Sequence, residues 1–69
     1  MKKYKLFATA YRGGKVRDSG IHDEREFPND ETAVSTFKSE IQNEPICTVN
    51  EKVDCVVMCE EVVVRRFTI

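Results

Sequence analysis

One stretch of the 69-residue chain carries a helical period, and it stands between segments that alternate every second residue. The stretch is FPNDETAVSTFKSEIQNEP, residues 27–45. Val34, Phe37 and Ile41 stand at i, i+3 and i+7 with Ala33 beside them, one apolar stripe on a 3.6-residue period. Ser35, Lys38, Ser39 and Gln42 fall on the opposite side. Pro28 disfavours helix before it, and Asn29 or Asp30 can cap the free backbone N–H groups. Asp30 and Glu31 suit the positive end of the helix dipole, and Asn43 and Pro45 supply the stop. The spacing predicts a helix over Asp30–Gln42. A short amphipathic helix has one stripe to bury, so the rest of the chain must supply the surface that receives it. The economical receiver is a sheet.

The strands are read from period-2 alternation. From Lys3 to Arg12, Tyr4, Leu6, Ala8 and Ala10 alternate with Lys5, Phe7, Thr9 and Tyr11. Gly13-Gly14 supplies two residues free to take positive φ, which a tight hairpin turn requires. The return strand, Lys15 to Phe27, carries Gly20, where a bulge or bend is expected. A two-residue loop sets Ala10 opposite Arg17, Ala8 opposite Ser19 and Leu6 opposite Ile21. After the helix, ICTV (46–49), VDCVVMC (53–59) and VVVRRFTI (62–69) are rich in β-branched residues and read as strand. Glu60-Glu61 is the turn between the last two, and Asn50-Glu51-Lys52 is a turn or a kink. The expected fold class is α+β: β-β-α-β-β, an antiparallel sheet of about four strands with one helix packed on one face, with ICTV as a further short strand. The whole of 1–69 is expected to form one small domain. Its expected core is Leu6, Ala8, Ile21, Phe27, Val34, Phe37, Ile41, Val57 and Val64.

Hydrophobic content of 41% with 33% charged residues is globular rather than disordered. No apolar run comes near the roughly 20 residues of a membrane helix. MKKYKLFATA has a basic start, but its apolar part is broken by Thr9 and no cleavage site follows, so the expected location is cytoplasmic. Cys47, Cys55 and Cys59 make an odd count without a CxxC pair, a poor disulfide framework. On one strand face Cys55 and Cys59 would lie about 13 Å apart at ~3.3 Å per residue, too far to share a metal. No cofactor and no metal is expected, and the cysteines read as reduced, mostly buried thiols.

Catalysis finds little footing. His22 is flanked by Asp23 and Glu24, yet neighbours on a strand point to opposite faces, so neither orients it. The same alternation splits Asp23, Glu24 and Glu26 as a cation site. Gly13-Gly14 is no phosphate loop, because the next helix starts far downstream. An enzyme is not expected.

The net charge of −1 conceals +6 over residues 1–17, −6 over 18–44 and −1 over 45–69. Two binding surfaces follow. An acidic surface at Asp23, Glu24, Glu26, Asp30 and Glu31 suits a protein partner, since a compact acidic rim can dock on a basic cleft. The alternative is RNA or single-stranded DNA, held by Lys3, Lys5, Arg12, Lys15 and Arg17 with Phe7 and Tyr11 as stacking platforms. KLFATAY resembles the first strand of RNA-recognition motifs, but that fold needs two helices and this chain offers one. In size, charge and architecture the chain resembles the small inhibitors and adaptors of phages and mobile elements, anti-CRISPR proteins among them. That resemblance implies a non-enzymatic protein-binding function. A homodimer through strand 62–69 is a further expectation: with Val62 and Val64 toward the helix, Val63, Phe67 and Ile69 would face away and need cover.

Overall fold

A computed structural model describes residues 1–69. Gly13 and Gly14 take φ of 62° and 74° and fold β1 (Lys2–Arg12) back onto β2 (Lys15–Phe27). β3 (Lys52–Cys59) and β4 (Val62–Thr68) form a second hairpin. Between the hairpins lie α1 (Asp30–Ile41) and a one-turn helix, α2 (Pro45–Val49). The four strands form one antiparallel sheet in the order β2-β1-β3-β4, which is the expected α+β arrangement with α2 added.

Strand order decides where the core sits. β1 and β3 are central, and their alternation turns Tyr4, Leu6, Ala8, Ala10, Val53, Cys55, Val57 and Cys59 to one face. Ala33, Phe37 and Ile41 of α1 close on that face, and Phe27 seals its edge. The Phe27 ring meets Tyr4 and Phe37 edge-on at centroid distances of 5.9 and 5.1 Å, favourable geometry for aromatic pairs. Asn29 caps the helix, its extended backbone letting Oδ1 accept from the Thr32 N–H at 2.8 Å.

Three expectations are corrected. ICTV is helix, not strand: Pro45 opens the turn, Thr48 Oγ1 donates to the Pro45 carbonyl at 2.9 Å, and Asn50 Nδ2 donates to the Ile46 carbonyl at 2.9 Å. Those side-chain bonds outweigh a β propensity that four residues express weakly. The β1–β2 register differs because β2 gains one residue between Ala10/Tyr11 and another between Leu6/Phe7. Ala10 therefore faces Asp18, Ala8 faces Gly20 and Leu6 faces Asp23. One inserted residue reverses every following side chain, so Ile21 pairs with Phe7 and stands 56% exposed instead of joining the core. The second insertion, at His22, returns Arg25 and Phe27 to the helix side. Finally, a bulge opposite Val57/Met58 adds Val64 to β4, so Val64, Phe67 and Ile69 all pack against the core while Val63 does not. Val34 and Val64 are half-buried there rather than central.

Candidate binding face

The molecule is a slab, 38 × 22 × 15 Å, with α1 on one broad face and nothing on the other. The open face is dictated by the pleat: residues that alternate with the core set must point there. Across its middle run Ile21, Phe7 and Val56, with Met58 and Val63 in the next row. Phe7, Val56 and Met58 are half-buried by their neighbours, and Val63 is 42% exposed. This is an apolar band on the surface.

Charge of both signs frames the band. Lys3 Nζ lies 3.5 Å from Glu24 Oε1 and Lys5 Nζ 3.8 Å from Glu24 Oε2, so one glutamate of β2 answers two lysines of β1. Glu26 stands opposite Lys3. At the other end the Lys52 ammonium sits 5.1 Å from the Tyr11 ring centroid and 3.7 Å from Asp54 Oδ2. Thr68 Oγ1 donates to Asp54 Oδ1 at 2.8 Å. A cleft of about 310 Å³ opens where the Glu60-Glu61 turn comes beside β1, lined by Lys3, Lys5, Phe7, Met58, Glu60 and Glu61.

The five acids named from sequence are divided by the fold. Glu24 and Glu26 lie on the open face, Glu24 already engaged by lysines. Asp23 is on the helix side, its Oδ2 3.2 Å from Arg25 Nε. Asp30 opens α1 and accepts the Tyr4 hydroxyl at 2.6 Å, and Glu31 stands exposed in the same helical turn. The basic set divides too. Lys3, Lys5, Phe7 and Tyr11 share one face of β1, whereas Arg12 and Lys15 lie at the hairpin tip and Arg17 occupies the first bulge of β2. Glu51 is built into that tip: its Oε1 accepts from the Gly13 N–H and its own N–H donates to the Tyr11 carbonyl, both at 2.9 Å. Glu60 and Glu61 were missed as members of the face. Their only sequence signal is a turn, and the turn reaches Lys3 because β1 pairs with β3.

Three groups off this face, Tyr4, Cys47 and Cys55, hold their protons more tightly than usual. The Asp30 carboxylate and burial raise the Tyr4 hydroxyl far above the ordinary phenol range. Burial pushes the Cys55 thiol up to about 11, and burial with nearby Glu44 raises Cys47. A thiol held protonated is a poor nucleophile. Cys47, Cys55 and Cys59 are free, and no three His, Cys, Asp or Glu side chains come together as a metal site. His22 is exposed at the second bulge. No helix is long and apolar enough to cross a membrane. Compared with family models, curated proteins and solved structures, the chain finds no match.

Proposed function

We propose that this chain is a non-enzymatic protein-binding module, an inhibitor or adaptor, which engages a protein partner through the open face of its sheet. One observation carries the reading: an apolar band (Phe7, Val56, Met58) bordered by both lysines and carboxylates. Protein interfaces have this anatomy, an apolar centre with a polar rim whose charges choose the partner. Phe7 is the anchor, because aromatic residues at the centre of such a patch supply most of the binding energy. Glu26, Glu60 and Glu61 are the acids left to meet basic groups of the partner, since they make no ion pair within the chain. Glu31, at the start of α1, extends the same acidic end.

RNA or single-stranded DNA is the second reading, favoured by the alignment of Lys3, Lys5, Phe7 and Tyr11 on one face of β1. Against it, Glu24, Glu26, Asp54, Glu60 and Glu61 stand around the same rings and repel phosphates. Proteins are the better fit. The test is capture with the tagged chain from a lysate divided into nuclease-treated and untreated halves, with Phe7→Asp as control. One protein recovered equally from both halves, and lost with Phe7→Asp, is the expected result. Recovery that disappears with nuclease, or that Phe7→Asp leaves unchanged, overturns it.

A further inference from the structure

The turn and strand at the free edge of the sheet read EEVVVRR, residues 60–66. Read antiparallel against itself about Val63, this segment is complementary at every position: Glu60 meets Arg66, Glu61 meets Arg65, Val62 meets Val64, and Val63 meets its own copy. None of these four charged side chains has an ion-pair partner within the chain; the five ion pairs present use Lys3, Lys5, Arg25 and Lys52 with Asp23, Glu24, Glu40 and Asp54. The edge is apolar where it is open, with Val62 64% and Val63 42% exposed.

The backbone agrees. The hairpin of β3 and β4 closes through a two-residue turn at Glu60-Glu61 onto the Cys59–Val62 pair, and such a turn closes on a hydrogen-bonded pair. The N–H and C=O of the next residue, Val63, therefore point away from β3 to the free edge. The opposite edge of the sheet is guarded differently. β2 carries two bulges against the one at Val64 in β4, a glycine at φ 150° (Gly20), and charges along most of its length, features that together discourage pairing.

We infer that β4 pairs antiparallel with β4 of a second copy about a two-fold axis at Val63, joining two sheets into one of eight strands. The two Val63 residues exchange a pair of backbone hydrogen bonds, and Val62 and Val64 pack against their counterparts. Glu60 and Glu61, leaving the ladder at the turn, reach Arg66 and Arg65 of the other copy. Because the axis repeats each contact, every charge pair occurs twice. This pairing uses the sheet edge and shares only Glu60 and Glu61 with the cleft of the open face, so self-association of the pure chain and capture of a foreign partner are separate readouts.

Sedimentation equilibrium from about 10 μM to about 1 mM, the range in which a small interface is populated, tests it on the intact chain. The wild type is expected to dimerise. Two variants then reverse one half of the pattern each: Glu60→Arg with Glu61→Arg, and Arg65→Glu with Arg66→Glu. Each alone places like charges opposite one another and should weaken its homodimer at least about tenfold. Mixed in equal amounts, they should form a heterodimer as tightly as the wild type. All four residues are exposed, so the variants keep the fold, as far-UV circular dichroism can verify. A wild type that stays monomeric at the highest concentration overturns the inference. So does a dimer indifferent to either reversal, or a mixture that fails to restore association.

Discussion

Tyr4 joins the sheet, the edge of the core and the start of the helix through one side chain. Its ring is fully buried against Phe27, and its hydroxyl donates to Asp30 Oδ1 at 2.6 Å. Tyr4→Phe removes that charge-assisted bond and should lower the melting temperature by about 5 °C in thermal circular dichroism. The pH dependence has a definite sign. Tyr4 and Cys55 both hold their protons more tightly folded than unfolded, so the stability they lend is complete below their unfolded pKa values and is lost as pH rises. For Cys55 the loss begins near the ordinary thiol value of about 8.5 and continues up to about 11. Denaturation midpoints should therefore fall through this alkaline window, with a shallower fall in Cys55→Ala. A thiol reagent at neutral pH should label half-buried Cys47 before buried Cys55 and Cys59, which react fully only in denaturant. Arg25 is the other linking residue: its guanidinium lies 2.7 Å from Glu40 Oε1 and 5.3 and 5.5 Å from the Phe27 and Phe37 ring centroids. A lysine there would lose the flat stacking surface and one of the two carboxylate contacts.

The helix is the element most legible in the sequence, because its signals are local and repeated. A cap, an acidic first turn and an apolar stripe all fall within fifteen or so residues of one another, and Asn29→Ala should cost about 1 kcal/mol through the cap alone. Phe37 is 1% exposed beneath the helix, and Phe37→Ala should cost about 3–5 kcal/mol. A chain of 69 residues is expected to hold only ~3.5–10 kcal/mol in total, at ~0.05–0.15 kcal/mol per residue. That variant should be partly unfolded at 37 °C by circular dichroism. The Glu60-Glu61 turn shows the reverse relation between sequence and structure. Both residues take positive φ, 51° and 68°, in a turn that glycine and asparagine fit without strain. Glu60→Asn with Glu61→Gly should raise stability by about 1–2 kcal/mol in urea denaturation, while removing two acids from the cleft. ICTV was misread because four β-branched and apolar residues cannot distinguish a strand from one turn of helix.

Over the whole molecule, α1 covers one broad face of the slab and leaves the other open. The open face assigns different consequences to charges that look equivalent in the sequence. Lys15 and Arg17 lie at the exposed hairpin and its bulge, away from the cleft. Reversing both to Glu should leave capture of a protein partner unchanged, whereas any oligonucleotide binding would weaken and its salt dependence shrink. Oligonucleotide anisotropy beside partner capture separates the two. Half of this site was readable beforehand: period-2 alternation alone sets Lys3, Lys5, Phe7 and Tyr11 on one side of β1. The other half was not, because Val56, Met58, Glu60 and Glu61 join them only through the pairing of β1 with β3, across more than forty residues of chain.

The sequence by itself determined the pieces whose causes are short-range. The Gly13-Gly14 hairpin, the capped helix and the alternation of β1 and β3 each depend on residues a few positions apart, where backbone propensity and pleat leave little choice. Tertiary structure decided the strand order, the three register shifts and the winding of Pro45–Val49 into a helical turn. Each bulge costs local ladder hydrogen bonds and reverses the faces of the strand beyond it: the one at Arg17 turns Ile21 away from the core, and the one at His22 turns Phe27 back to it. That trade is settled by burial of side chains distant in sequence, which is why no window of neighbouring residues could announce it.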